Sequence, residues 1–284
     1  SKISQNFKLG EFHTMNIELD HLKVSNYGAT IEYNLERVSG TTWVEAMETY
    51  LENVTPFNIA LALSGGADSE AIATILHNMG RPFTPLIFDY AGKNQHDTHY
   101  AVEWCEANGY YPRVISFDPV GLWVEQKDHC LEIAEMTHCT SPQYLVYMKM
   151  MEAMLPFGYP MICVGEPELK FVGQAGDYIE LTEKPMHFSV EIYRRLMNID
   201  GNALPFQLDK NVMQAWLCDP FWETMNPDQS SKDRKADFYQ HYLGIQPRVK
   251  FNGFENVQEE DQALRAELVA LYPEQDIILT QTAL

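Results

Sequence analysis

The chain of 284 residues is long enough for one domain with a large buried core. Its composition, 45% hydrophobic and 12% aromatic, is typical of a globular protein and excludes the fibrous and wholly disordered classes. Forty acidic residues against twenty basic ones give a formal net charge of −20, which opposes binding to nucleic-acid backbones and anionic lipid. We therefore expect neither a nucleic-acid partner nor a membrane partner.

The cysteines and the sequence of residues 1–14 indicate the cellular compartment of the protein. The five cysteines are Cys105, Cys130, Cys139, Cys163 and Cys218. Their odd number, wide spacing and lack of a CxxC pair favour free thiols in a reducing compartment. Residues 1–14 lack the apolar centre of a signal peptide, and no stretch approaches the roughly 20 apolar residues of a membrane helix. We expect a cytoplasmic protein.

The amino-terminal segment, residues 1–55, is predicted to be a small β-rich element followed by a helix. Polar and apolar residues alternate over 21–35 around Asn26 and Gly28, which predicts a hairpin. Thr42 is the expected N-cap of a helix that ends before Pro56.

The middle segment, residues 56–185, is predicted to be an α/β domain. Four short apolar runs, at 58–63, 85–89, 113–117 and 161–164, alternate with helical patterns at 68–79, 96–107 and 141–155. Buried runs that alternate with helices are typical of an open parallel sheet with flanking helices. We expect that fold class here.

The carboxy-terminal segment, residues 186–284, is predicted to be a helical region on the substrate side. Candidate helices lie at 188–197, 212–217, 232–242 and 256–271, and residues 277–279 fit a short strand or a tail. The last helix is charged and amphipathic, so it is a candidate partner-docking element or homodimer element. An ordinary solvated face is the alternative.

The residues that carry chemistry are Ser64, Gly65, Gly66, Ala67, Asp68 and Ser69, directly after the first apolar run and before a helix. Two glycines let the backbone approach an anion, while a helix start supplies unpaired N–H groups and serine hydroxyls donate to phosphate. A carboxylate at Asp68 would repel phosphate unless a divalent metal bridged them, so we infer Mg²⁺ there. A plain strand-to-helix turn with a capping Asp is the alternative.

This hexapeptide resembles the pyrophosphate loop (PP-loop) of the N-type ATP pyrophosphatases, the superfamily of asparagine synthetase, GMP synthetase, NAD synthetase, argininosuccinate synthetase and the queuosine-pathway nitrile synthase. The P-loop pattern GxxxxGK[ST] and the dinucleotide pattern GxGxxG are both missing from the chain. The resemblance implies an adenine nucleotide alpha hydrolase-like fold that uses ATP and Mg²⁺. It also implies that Ser64, Gly65, Gly66, Asp68 and Ser69 bind the nucleotide.

Two further segments extend the resemblance over about residues 57–172. Residues 86–92 are similar to the second strand of the queuosine-pathway enzyme, which implies that Phe88 lies beside adenine. Residues 142–145 and 161–169 resemble the helix and acidic loop around the fourth strand of asparagine synthetase-like domains. Gly165 is then a nucleotide-binding candidate, and Glu166 is a second metal candidate beside Asp68.

Departures from the family narrow the expected activity. No cysteine precedes Cys105, so no cysteine-type glutaminase domain lies in the chain, and ammonia or another amine comes from elsewhere. Only Cys218 lies beyond Cys163, which argues against the four-cysteine zinc site of the queuosine-pathway enzyme. Thiolating enzymes that use a CxxC lose support because the chain lacks that pair. Sulfonucleotide reductases need a carboxy-terminal catalytic cysteine, and they lose support unless Cys218 serves as that residue.

The cations expected to stabilise the departing pyrophosphate are Lys170, Lys232 and Lys235. Lys232 and Lys235 belong to a basic run that also contains Arg234, with Arg248 and Lys250 beyond it. We predict that at least one residue of the run folds back over the phosphate site. A solvated first helical turn is the rival interpretation.

Other constellations have structural explanations. The ligand types at His129, Cys130, His138 and Cys139 suit zinc, but buried cysteine is the commoner reason for such pairs. His96 and His99 could face the nucleotide, and an exposed first turn is the alternative. The methionines between 148 and 154 are expected in the core.

These observations predict an enzyme that adenylates a carboxylate or amide oxygen of a small-molecule substrate, releases pyrophosphate and lets an amine donor displace AMP. One alternative is an RNA base-modifying enzyme that uses the same adenylate, which the charge of −20 opposes. A nucleotide-binding sensor or partner protein without turnover is the other.

Overall fold

Four parallel strands form the central sheet in the order β8-β7-β6-β9: β6 is Ile59–Ala62, β7 is Phe83–Asp89, β8 is Arg113–Ser116 and β9 is Tyr159–Met161. This parallel strand order confirms the α/β fold with an open parallel sheet.

This computed structural model describes residues 4–9, 13–18, 22–25, 28–31, 34–35, 40–137, 139–163, 168–172, 178–183, 189–224, 231–271 and 277–283.

Ten helices lie in the described residues: α1 Trp43–Val54, α2 Ala67–Asn78, α3 Gln95–Ala107, α4 Pro119–Glu125, α5 Lys127–Thr137, α6 Pro142–Met154, α7 Ser189–Leu196, α8 Lys210–Leu217, α9 Ser231–Leu243 and α10 Gln258–Leu271. The predicted N-cap at Thr42 is confirmed as a capping box with Glu45. Sequence reasoning missed α4 and α5, although Asp118 caps α4 through the N–H of Val120 and Pro119 occupies its first turn.

Helices cover both faces of the inner strand β6, which explains why that strand is apolar throughout. The edge strand β8 is largely exposed. Along β6, Ala60 and Ala62 face a core that includes Met148 and Leu145 of α6. Ile59 and Leu61 face the opposite core, built with helices α1, α2 and α9. Because the strands are parallel, their carboxyl ends lie at one edge of the sheet, where the loop after β6 emerges.

A second sheet joins strands from distant parts of the chain in the order β10-β11-β12-β5: β5 is Asn34–Leu35, β10 is Glu168–Val172, β11 is Tyr178–Glu183 and β12 is Ile277–Ala283. The carboxy-terminal region is thus not helical alone, because the apolar run at 277–279 pairs with β11. The boundaries at 55 and 185 remain predictions.

Two hairpins precede these elements: β1 (Ser4–Leu9) pairs with β2 (His13–Glu18), and β3 (Leu22–Ser25) pairs with β4 (Gly28–Ile31). The second is the hairpin predicted over 21–35. Among the residues that the structure describes, no helix has the length and apolar character needed to cross a membrane.

Candidate functional site

Residues 64–66 connect β6 to α2, and residues 67–69 form the first turn of α2; residues 64–69 together are called the loop below. Gly66 is the N-cap of α2 and has an extended backbone, with φ −80° and ψ 153°. Gly65 has φ +82°, a conformation that favours glycine. Because the first N–H groups of a helix lack partners within it, this loop has the backbone arrangement of an anion site.

The two serines of the loop have different environments. The buried Ser69 hydroxyl donates to the carbonyl oxygen of Gly66 at 3.0 Å. The exposed Ser64 hydroxyl accepts from the N–H of Gly66 at 3.3 Å. Ser69 therefore stabilises the loop from within, whereas Ser64 faces the side on which a ligand would lie.

Asp68 is held by two side chains of α9. The ammonium of Lys235 lies 3.0 Å from its Oδ2, and the hydroxyl of Tyr239 donates to its Oδ1 at 2.6 Å. Burial, and next the negative charge of Asp68, raise the pKa of Tyr239, so the hydroxyl stays protonated and donates. Lys235, a member of the basic run, thus contacts the loop. Its position over a phosphate stays a prediction.

Residues 244–253, called the strap below, cross the loop from the other side. Arg248 of the strap lies 2.5 Å from Glu70 of α2 and donates to the carbonyl oxygen of Gly65 at 3.3 Å. Its guanidinium also lies over the ring of Tyr100, 4.7 Å from the centroid. These contacts fix the strap to both the loop and α3.

Lys250 also belongs to the strap and lies close to the loop backbone. Its ammonium is 3.6 Å from Oδ2 of the buried Asp97, and its Cδ and Cε lie 3.3 Å from where a β-carbon at Gly66 would be. Burial lowers the pKa of Lys250, and the charge of Asp97 opposes that shift. The absence of a side chain at Gly66 therefore makes room for a lysine.

Three ion pairs surround the loop: Asp68 with Lys235, Glu70 with Arg248, and Asp97 with Lys250. The formal charges of these pairs cancel. A bound polyanion would therefore bring negative charge that these side chains alone do not offset. Asp68 lines the cavity and offers carboxylate oxygens, the ligand type that Mg²⁺ prefers, so the donor chemistry fits a magnesium ion.

A cavity of about 620 Å³ opens beside the loop. Its polar wall includes Ser64, Asp68, Lys235, Arg248 and Lys250. Its apolar wall includes Phe88, Tyr90, Tyr147, Met150 and Trp216. The cavity thus joins a charged region at the loop to an aromatic region at the end of β7, and its volume suits a small-molecule ligand.

Asn94 stabilises the end of β7. Its side-chain carbonyl accepts from the N–H of Tyr90, and its amide nitrogen donates to the carbonyl oxygen of Phe88, both at 2.8 Å. Asn94 is also the N-cap residue of α3, the helix that carries Asp97. One side chain therefore fixes the position of Phe88 relative to Asp97.

The predicted site residues fall into three groups. Ser64, Gly66, Asp68, Ser69, Phe88 and Lys235 line the cavity, and Gly65 lies within the loop. Lys170 is on β10 and Lys232 is in α9, but their side chains lie outside the described part of the structure. Gly165 and Glu166 lie outside the described residues.

Sequence reasoning did not assign Glu70, Asp97, Tyr239, Arg248 or Lys250 to the site. Their partners are distant in sequence: Arg248 and the Gly65 carbonyl are 183 residues apart. One signal in the sequence pointed to the strap. Basic residues are scarce in this acidic chain, yet Arg248 and Lys250 lie two positions apart in the strap.

The histidine and cysteine pairs have structural partners. Cys130 and Cys139 are buried and donate to the carbonyl oxygens of Leu122 and Ser141. His96 lies 2.9 Å from Glu255, and the exposed His129 lies 3.5 Å from Glu132. His138 lies outside the described residues. These contacts support the structural interpretation of the pairs.

Comparisons with known proteins give structural similarity alone. No family model matches the chain, and no curated protein matches it. Among solved structures, the chain is similar to NMN synthetase from Francisella tularensis, with 14% identity, coverage of 78% of this chain and 90% of that one, and a TM-score of 0.34. It is also similar to the NH3-dependent NAD synthetase from Campylobacter jejuni subsp. jejuni, with 11% identity, coverage of 74% and 96%, and a TM-score of 0.32.

Proposed function

We propose that the chain is a PP-loop ATP pyrophosphatase of the ligase type, which adenylates an oxygen of a small-molecule carboxylate or amide and then transfers the activated group to an amine. The observation that carries the proposal is the loop of residues 64–69. It connects a buried parallel strand to a helix start and is flanked by Lys235, Arg248 and Lys250 beside one cavity.

The loop would bind the β- and γ-phosphates. The N-terminal N–H groups of α2 and the exposed hydroxyl of Ser64 donate to phosphate oxygens. Arg248 and Lys250 supply positive charge from the strap, and Lys235 supplies it from α9. The three ion pairs are already balanced, so bound Mg²⁺ would offset the negative charge of the phosphates. Asp68 is the residue that would hold the Mg²⁺ ion.

The aromatic wall would receive the adenine. Phe88, 4% exposed, is the last buried residue of β7, and Tyr90, 5% exposed, directly follows the strand. Their flat apolar surfaces suit a purine, because stacking on an aromatic ring tolerates any orientation of the base edge. This arrangement would leave the α-phosphorus between the aromatic wall and the loop.

Adenylation needs little proton chemistry from the protein. A carboxylate oxygen attacks the α-phosphorus, the bond to the bridging oxygen of the β-phosphate breaks, and pyrophosphate leaves with that electron pair. Lys235, Arg248 and Lys250 stabilise the charge that grows on pyrophosphate. The amine then attacks the acyl carbon, AMP leaves, and the amine gives its proton to solvent.

Pyrophosphate exchange tests the proposal in the absence of the amine. The protein is incubated with Mg·ATP, labelled pyrophosphate and single members of a panel of carboxylates and amides. An adenylating enzyme returns label into ATP only with its own substrate, and Asp68→Asn should abolish the exchange. ATP binding without exchange across the panel would favour a nucleotide sensor instead.

A further inference from the structure

Both carboxylate oxygens of Asp68 already have partners on α9. Tyr239 donates to Oδ1, and the ammonium of Lys235 lies 3.0 Å from Oδ2. The side chains of Lys235 and Asp68 are only 12% and 14% exposed. Water screens the attraction within such a pair weakly, so the ammonium competes strongly with any other cation for Oδ2.

We propose that Lys235 competes with the divalent cation for Asp68, so that the metal binds tightly only together with the nucleotide. The inference rests on the proposed use of Asp68 as a metal ligand and adds an order of binding to it. Without phosphates, a dication would have to displace the ammonium from Oδ2 and leave it beside a second positive charge. That exchange is electrostatically unfavourable.

Phosphates change this balance. The flexible four-carbon stem of Lys235 lets its ammonium leave Oδ2 and contact a phosphate oxygen, so the carboxylate becomes available to the ion. Tyr239 is neutral and remains hydrogen-bonded to Oδ1. Arg248 and Lys250, paired with Glu70 and Asp97, keep the strap over the loop during the exchange.

Mn²⁺ binding measured by electron paramagnetic resonance tests this competition without turnover. Wild type and Lys235→Ala are titrated with Mn²⁺, with and without an ATP analogue that carries a methylene between the α- and β-phosphorus. We expect Lys235→Ala to bind Mn²⁺ about tenfold more tightly than wild type without nucleotide, because a competing charge has gone. In wild type, the analogue should increase the amount of bound Mn²⁺ beyond the amount that the analogue binds alone in a protein-free titration.

Two further variants control for charge and folding. Lys127→Ala removes the same charge from an exposed ion pair with Glu267 and should leave Mn²⁺ affinity at the wild-type value. Lys235→Met keeps the apolar stem, so it should bind Mn²⁺ as Lys235→Ala does even if the alanine variant is unstable. Circular dichroism checks that each variant is folded.

The outcomes separate the inference from the proposed function. If wild type binds the analogue with Mn²⁺ but neither Lys235 variant binds Mn²⁺ more tightly without nucleotide, the competition is overturned and the function stands. If wild type binds no analogue with or without Mn²⁺, the proposed function itself fails.

Discussion

Gly65 and Asp97 approach so closely that no side chain fits between them. A β-carbon at Gly65 would lie 2.0 Å from the carbonyl oxygen of Asp97, and Gly65 also has φ +82°. The phosphate loop candidate and α3 are therefore in direct backbone contact. The same helix carries the carboxylate that pairs with Lys250 of the strap.

Gly65→Ala should destabilise the fold by roughly 2–5 kcal/mol, because the left-handed backbone and the overlap with Asp97 both cost free energy. Gly80→Ala is the matched control, since Gly80 has φ +67° and no atom within 4 Å of the new β-carbon. It should lose only about 1–2 kcal/mol. Urea unfolding measures both, and equal losses would show that the overlap has no cost.

Arg248→Ala should release the strap, because it leaves Glu70 without its nearly buried guanidinium. Removing one partner of a buried pair costs roughly 3–5 kcal/mol in free energy of unfolding. Hydrogen exchange should accelerate in residues 244–253. The exposed Arg113→Ala is the control. A loss under about 1 kcal/mol, the size of a surface ion pair, would show that the strap does not depend on Arg248.

The sequence predicts the parts of the site whose signals are local. The apolar run of β6 and the hexapeptide are adjacent, so the strand, loop and helix could all be read together, and the Thr42 capping box marks α1 in the same way. The partner of Asp97 could not be predicted, because Lys250 approaches it from a strap that is separated from α3 by six helices, α4 to α9. Only tertiary packing brings those residues together.

The lowered pKa of Lys250 predicts a pH effect on nucleotide binding. Burial lowers the pKa from the usual 10.5, so the lysine loses its proton more readily in the fold than in the unfolded chain. Because the unfolded chain holds that proton more tightly, the contribution of Lys250 to stability rises with pH between the two pKa values. Affinity for Mg·ATP should instead fall as pH rises through the lowered pKa.

Lys250→Arg separates this titration from general alkaline effects. Arginine stays charged over the same range, so affinity in the variant should stay flat where wild-type affinity falls. Fluorescence titration with ATP at increasing alkaline pH measures both curves. Parallel curves for wild type and Lys250→Arg would mean that Lys250 does not contact the phosphates.

Lys235→Ala should slow the chemical step while it tightens Mn²⁺ binding without nucleotide. We expect a loss of roughly 2.7–4 kcal/mol of transition-state stabilisation, the scale of one removed electrostatic contact. Single-turnover kinetics measure the step, and Lys127→Ala should leave it unchanged. An unchanged rate in Lys235→Ala would assign the lysine to metal competition alone.

Identification of the nucleotide products shows which bond of ATP is cleaved. The loop is proposed to hold the β- and γ-phosphates as one leaving unit, so cleavage falls between the α- and β-phosphorus. Wild type incubated with Mg·ATP, the carboxylate or amide found by exchange, and ammonia should yield AMP and pyrophosphate in equal amounts by chromatography. ADP and inorganic phosphate as the sole products would contradict the account.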